Sequence, residues 1–331
     1  MHQNIFNVTE VVQFIKNGRT LLLAGEEALL NKLPQGKWVG GTIPYFVTPE
    51  QGGAVTRDQI FVADISEVAS AVTVAVYDQK TLANVYTDAE GSGFSFIIVP
   101  AASPVHASFA MNAQSYKDFG CRPLVGWVSG VHLNDLGKAA PKVFDGTTGK
   151  SSEQEAVVMH VTLPAGKSVD VGIVNLFEQG EGDTLTFVAD GFTVSEVMVN
   201  GVKENFADYI TRNNLDTKLP LVADYYGAPV NISFQGVASN GMVQLYAPVF
   251  SGIRYKQAKP VSNYTDAFRT QLKKSHPDSS SVIFSCNCIL NFLYCGLESK
   301  KTNHFVGPIT FGEIAYQLLN QTLVYLEVHD I

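Results

Sequence analysis

Two distant stretches of the chain run through one order of features, and that order constrains the fold more than anything else in the sequence. Near the start, Trp38-Val-Gly-Gly-Thr-Ile-Pro-Tyr-Phe46 is followed by Gln59-Ile-Phe-Val-Ala-Asp-Ile65. Near the end, Phe305-Val-Gly-Pro-Ile-Thr-Phe-Gly-Glu313 is followed by Asn320-Gln-Thr-Leu-Val-Tyr-Leu-Glu-Val328. In each, a Val-Gly pair opens a glycine-containing loop, and a glutamine leads into an apolar strand.

The segments upstream agree as well. Asn7 caps a helix with Glu10 three residues on, and Val8, Val11, Val12 and Ile15 fall on one helical face. An apolar strand (Thr20 to Ala24) and a leucine-rich helix ended by Pro34 come next. In the final quarter Asn263 caps a helix, with Asp266 at its third position, before the strand Ser281 to Cys286 and an apolar helix from Ile289. A partial third version lies between Phe94 and Val161, with a helix start at Ser103-Pro104 and the triplet Leu124-Val-Gly126. From Val169 to Tyr255 the pattern is mostly β, with hairpin turns expected at Asn200-Gly201 and Asn240-Gly241. Pro164-Ala-Gly-Lys167 reads as the seam. The expectation is an α/β (α+β mixed) chain of two related halves, residues 1–163 and 164–331, each a mixed β-sheet covered by helices.

Composition bounds the function. A 46% hydrophobic, 16% charged chain of 331 residues buries a sizeable core. A net charge of −8 argues against a general nucleic-acid binder, because phosphate attraction needs a concentrated basic surface. No apolar run approaches the roughly 20 residues that span a bilayer, so no membrane insertion is expected. Without a visible secretory signal, the four cysteines read as reduced thiols and the location as cytoplasmic.

Several constellations could carry chemistry. Cys286 and Cys288, with Cys295 and His304 beyond, have the wrong spacing for structural zinc. They read first as small apolar side chains at a strand–helix junction, and second as a nucleophile, since helix amides favour a thiolate there. None of the seven histidines is singled out by spacing as its base. Gly40-Gly41-Thr42 and Gly307-Pro308 lack nucleotide-loop patterns and suit tight packing. Together with Tyr45, Phe311 and Glu313 they could also wall a polar–aromatic ligand pocket. Asn320-Gln-Thr322 suits a backbone cross-link more than a ligand contact. The acidic turn Glu178 to Asp183 reads as solvated, too short for a calcium loop.

Phe284-Ser-Cys286, Gly307-Pro-Ile-Thr-Phe-Gly-Glu-Ile314 and Leu319-Asn-Gln-Thr-Leu323 resemble the C-terminal part of the FIST family of sensory domains, most clearly over residues 282–328. Leu33-Pro to Gly41-Thr42 is similar to that family's N-terminal glycine segment, more loosely. The arginine that often follows the cysteine in that family is replaced here by Asn287. The resemblance implies a cytoplasmic sensor of amino-acid-like ligands, with haem as an alternative cofactor and any signalling passed to a separate partner. On this reading Gly40, Gly41, Thr42, Tyr45, Cys286, Gly307, Phe311 and Glu313 line the ligand site. A cysteine enzyme using Cys286 or Cys288 is the competing reading, and no metal or other cofactor is expected.

Overall fold

The computed structural model describes residues 4–225, 228–275, 281–302 and 305–331. The chain is mixed α/β and β-dominated, with 41% strand against 17% helix. Its first compact unit comprises Met1–Val174, Arg269–Leu318 and Leu323–Ile331; the second comprises Asn175–Phe268 and Leu319–Thr322.

The order of elements seen at the two ends recurs between them, with a single 3-10 turn (Leu82–Asn84) in place of the first helix, so the first unit contains three repeats. The first repeat runs β1 (Ile5–Phe6), α1 (Val8–Lys16), β2 (Leu21–Gly25), α2 (Glu27–Leu30), β3 (Trp38–Thr42), β4 (Tyr45–Thr48), β5 (Gly52–Val55) and β6 (Ile60–Asp64). The second runs β7 (Ala71–Tyr77), β8 (Gly93–Pro100), α3 (Pro104–Asn112), β9 (Leu124–Ser129), β10 (Val143–Asp145), β11 (Lys150–Ser152) and β12 (Ala156–Thr162). The third opens with β13 (Lys167–Val174). It is then interrupted by β14 (Leu185–Thr186), β15 (Gly191–Val194), β16 (Glu196–Val199), β17 (Val202–Asn205), α4 (Phe206–Arg212), β18 (Leu221–Tyr225), β19 (Ala228–Ile232), β20 (Phe234–Val237), β21 (Val243–Val249) and β22 (Tyr255–Gln257). It resumes with α5 (Tyr264–Ser275), β23 (Val282–Cys288), α6 (Ile289–Cys295), β24 (Gly307–Thr310), β25 (Glu313–Ala315), β26 (Gln317–Leu319) and β27 (Leu323–Asp330). Of residues 164–167, read from the sequence as a seam, 164–166 form the turn between β12 and β13 and Lys167 opens β13.

Each repeat builds the same sheet. Two parallel strands joined through a helix (β2–β3, β8–β9, β23–β24) form its centre, and an antiparallel strand (β6, β12, β27) returns beside the first of them. A further antiparallel strand (β1, β7, β13) closes that edge. The other edge is exchanged in a ring: the β10–β11 hairpin pairs with β3, β25–β26 with β9, and β4–β5 with β24. Every sheet is therefore completed by the hairpin of another repeat.

The recurring Val-Gly has a steric cause. Gly40, Gly126 and Gly307 occupy one position in the three repeats, facing the neighbouring parallel strand. A Cβ on Gly126 would lie 1.7 Å from the Ile97 carbonyl oxygen, and one on Gly307 would lie 1.7 Å from that of Ser285. No side chain fits so close to a neighbouring backbone.

Each sheet is apolar on both faces. On one, Val11 and Ile15 of α1 meet Leu21, Leu23, Trp38 and Val62, as Val105 and Phe109 of α3 meet Ile97, Val99, Leu124 and Val158. Local capping sets these helices as the sequence indicates: Asn7 and Glu10 form a reciprocal capping box, and Ser103 accepts from His106 N. The opposite faces of the three sheets share a second core. There Phe96 meets Phe284 edge-to-face at 4.8 Å, Trp127 stacks on Phe284 at 5.7 Å, and Phe46 stacks on Phe61 at 6.2 Å.

The second unit is two antiparallel sheets, β17-β16-β14-β22-β18-β19 and β15-β21-β20, with α4. Asn200-Gly201 makes the two-residue turn from β16 to β17, both residues with positive φ (48° and 86°). Among the described residues, no helix is long and apolar enough to cross a membrane.

Candidate functional site

The residues singled out by sequence are brought together at the ends of β3, β9 and β24, as packed interior. Thr42 and Tyr45 are 4% and 3% exposed, Cys286 and Cys288 each 1%, and Glu313 0%. Thr42 exchanges backbone bonds with its neighbours, donating from its N–H to Lys142 O (2.9 Å) and accepting from Gly130 N (2.7 Å). Tyr45 Oη accepts from Leu133 N at 3.0 Å while its ring stacks on His132 at 5.5 Å. The half-buried Phe311 ring packs on Gly130, where a Cβ would come within 2.5 Å of it. Gly41 is hemmed in by Ile98, Trp127 and Ser129, and Gly307 by Ser285.

Neither of the two central thiols is poised as a nucleophile. Cys286 Sγ lies 3.5 Å from Gly126 O, and burial, followed by the nearby Glu313 and Cys288, pushes its pKa well above the ordinary thiol value. Small buried side chains at a strand–helix junction are what both cysteines provide. His304 lies outside the described residues. Among the described residues, no group of three His, Cys, Asp or Glu side chains could hold a metal ion.

Comparing the repeats at equivalent register positions isolates one polar sector. Glu313 stands opposite Trp127, where the other repeats pair Phe46 with Pro308 and Val143 with Gly41. Thr310 Oγ1 reaches to 3.4 Å from Glu313 Oε1. Cys286 stands where the other repeats have Ala24 and Ile98. This asymmetry is invisible until the register is known.

A second buried cluster was not indicated by any spacing. Ser95 Oγ and His160 Nδ1 are 2.8 Å apart, and His160 Nε2 is 2.9 Å from Tyr77 Oη. Tyr77 Oη in turn donates to Asp88 Oδ2 at 3.1 Å. Arg122 Nε donates to Ser95 Oγ at 3.2 Å, while its other nitrogens bond Gly91 O and Val161 O at 2.6 Å and Phe94 O at 3.1 Å. Ser95 and His160 have the form of a nucleophile and its base, but Ser95 is 1% exposed, which leaves its hydroxyl no approach for a substrate.

The second unit holds an open cavity of about 410 Å³, within the range of small-molecule sites. Its walls are the loop Gly180-Glu181-Gly182-Asp183, the stretch Gln257 to Pro260, and the side chains of Leu185, Tyr209 and Leu215. Asp183 is held from two sides, accepting from Asn200 Nδ2 at 2.7 Å and from Tyr209 Oη at 3.0 Å. Burial, then the bond to Asp183, pushes Tyr209 up to about 12, so it remains a donor. Lys259 pairs with Glu178 at 3.2 Å. The acidic turn, expected from sequence to be solvated, is exposed at Glu181 and Gly182 and also forms one wall of the cavity.

No curated protein matches the chain. The likeness to FIST sensory domains is not sustained: the sequence matches no model of that family, and a different family model spans nearly all of it. The motifs that carried the likeness have packing causes here. Gly307 passes against the Ser285 carbonyl, Cys286 fills the shared core, and Asn320 Oδ1 accepts from Ser233 N at 3.0 Å. Residues 6–329 match a single family model, and the chain belongs to that family, DUF6976, a family of unknown function.

Proposed function

We propose that the protein binds a small zwitterionic molecule of amino-acid type in the cavity of its second unit. The observation that carries this reading is the cavity itself, which combines both signs of charge with an apolar floor. Asp183 and Glu181 offer carboxylates to an ammonium group, and Lys259 offers an ammonium to a carboxylate. Leu185, Leu215, Ala258 and Pro260 supply apolar surface, and Gly182 leaves backbone open to close approach. Binding, not catalysis, is favoured because the Cys286, Cys288 and Ser95 side chains are all enclosed. Cys121, Cys286 and Cys288, none joined in a disulfide, suit the reducing cytoplasm expected for such a protein.

Calorimetric titration tests this with free amino acids, their N-acetyl derivatives and the matching simple amines. Binding should require the free ammonium group and should weaken about tenfold or more in Asp183→Asn, the loss of one charge-assisted contact. Absence of heat with every compound, or wild-type affinity retained in both Asp183→Asn and Lys259→Met, would sink the reading.

A further inference from the structure

We infer that Asp88, Tyr77, His160, Ser95 and Arg122 form one polarised hydrogen-bond relay, an acid-sensitive latch through which the exposed Asp88 acts as counter-charge to the buried Arg122. The argument is one of donors and acceptors. A carboxylate only accepts, so Tyr77 gives its hydroxyl proton to Asp88. Tyr77 Oη then accepts from His160, which fixes the proton on Nε2. Nδ1 is left bare and takes the Ser95 hydroxyl proton, and the Ser95 oxygen accepts from Arg122 Nε. One arrangement of protons satisfies all four bonds, and every bond points from the guanidinium toward the carboxylate.

The relay also answers an electrostatic need. Arg122 is 8% exposed, its guanidinium otherwise faces carbonyl oxygens, and a buried charge without compensation is costly. Aligned hydroxyl and imidazole dipoles carry the Asp88 charge inward to it. Mechanically the relay joins three strands: Tyr77 on the edge strand β7, Ser95 on β8 and His160 on β12. The charged and titratable groups facing His160 are Arg122 and Asp88, with Tyr77 directly bonded. Burial first, and Arg122 next, hold the imidazole neutral down to about pH 4, while Asp88 opposes them. A second proton on His160 occupies Nδ1, deprives the Ser95 hydroxyl of its acceptor and sets a cation beside Arg122. The latch opens at that joint between β12 and β8, while the Nε2 proton still ties His160 to Tyr77 on β7.

Nitrogen-15 NMR of the histidine rings in the intact protein tests the relay. At neutral pH His160 should be a single tautomer with its proton on Nε2, and that proton should exchange slowly with water. Asp88→Asn, a surface change that spares the fold, should shift both His160 ring nitrogens and lower the pH at which the ring takes its second proton, because the carboxylate favours that proton. Tyr77→Phe should release the Nε2 proton to fast exchange. A proton found on Nδ1, or His160 ring signals unchanged in Asp88→Asn, would overturn the relay. If Tyr77→Phe does not fold, the wild-type tautomer and Asp88→Asn decide the matter alone.

Discussion

Gly126 on β9 passes so close to Ile97 on β8 that a Cβ added to it would sit 1.7 Å from the Ile97 carbonyl oxygen. Gly307 has the same relation to Ser285, whereas Gly40, at the equivalent position in the first repeat, would place its Cβ at 3.3 Å from Leu23 O. Alanine substitution should therefore separate the three. Gly126→Ala and Gly307→Ala must push paired strands apart and should cost roughly 3 kcal/mol or more, while Gly40→Ala should cost about 1 kcal/mol or less. Urea denaturation of the three variants checks the ranking. A Gly40→Ala variant as damaged as Gly126→Ala would show that the close approach is not what selects glycine.

The thiols make a second contrast. Cys121 is exposed, while Cys286 and Cys288 are buried and the Cys286 thiolate is disfavoured. In a Cys295→Ser background, iodoacetamide should modify Cys121 in the native protein and reach Cys286 and Cys288 only in denaturant. Mass spectrometry reads the sites directly. Rapid native labelling of Cys286 would restore it as a candidate nucleophile.

Acid should weaken the fold over a defined window. Buried neutral His160 has its pKa lowered to about 4, against about 6.5 in an unfolded chain. Between those values the unfolded state binds more protons, so this contribution is complete above pH 6.5 and declines as pH falls toward 4. At about 1.4 kcal/mol per pH unit the loss across the window is on the order of 3 kcal/mol. Stability measured at pH 7, 6, 5 and 4.5 should fall more steeply in wild type than in His160→Gln, which has no imidazole to protonate. Parallel slopes for the two proteins would remove His160 as the source.

Local features of the sequence translated directly into structure, and long-range ones did not. The Asn7 and Ser103 caps, the Asn200-Gly201 turn and the apolar strands depend on a few neighbouring residues, and each is where the pattern places it. The ring of exchanged hairpins was out of reach because Gly41 meets Val143 and Trp127 meets Glu313, partners far apart in the chain. Register hid the relay for the same reason: Ser95 and His160 are ordinary polar interruptions of apolar strands until β8 and β12 are aligned. Gly41, Tyr45, Cys286 and Glu313 stand out in the sequence and are all buried, but burial does not tell their purpose. Residues that recur to satisfy packing look in sequence like residues that recur to bind a ligand.

Asn200 offers a way to perturb the cavity from outside it. Its φ of 48° suits asparagine or glycine, its Oδ1 accepts from Thr184 N at 3.0 Å, and its Nδ2 holds Asp183 at 2.7 Å. Asn200→Ala should lose both side-chain bonds and strain the turn, costing roughly 2 kcal/mol of stability in the second unit. Asn200→Gly keeps the backbone conformation, so it should recover about 1 kcal/mol of that loss. Neither variant restores the donor to Asp183. If positioning of that carboxylate governs recognition, both variants should bind the proposed ligand more weakly to a similar degree, despite their different melting points. Calorimetry alongside thermal denaturation separates the two effects: affinity that tracks stability, with Asn200→Gly binding like wild type, would mean that Asn200 acts on the turn alone.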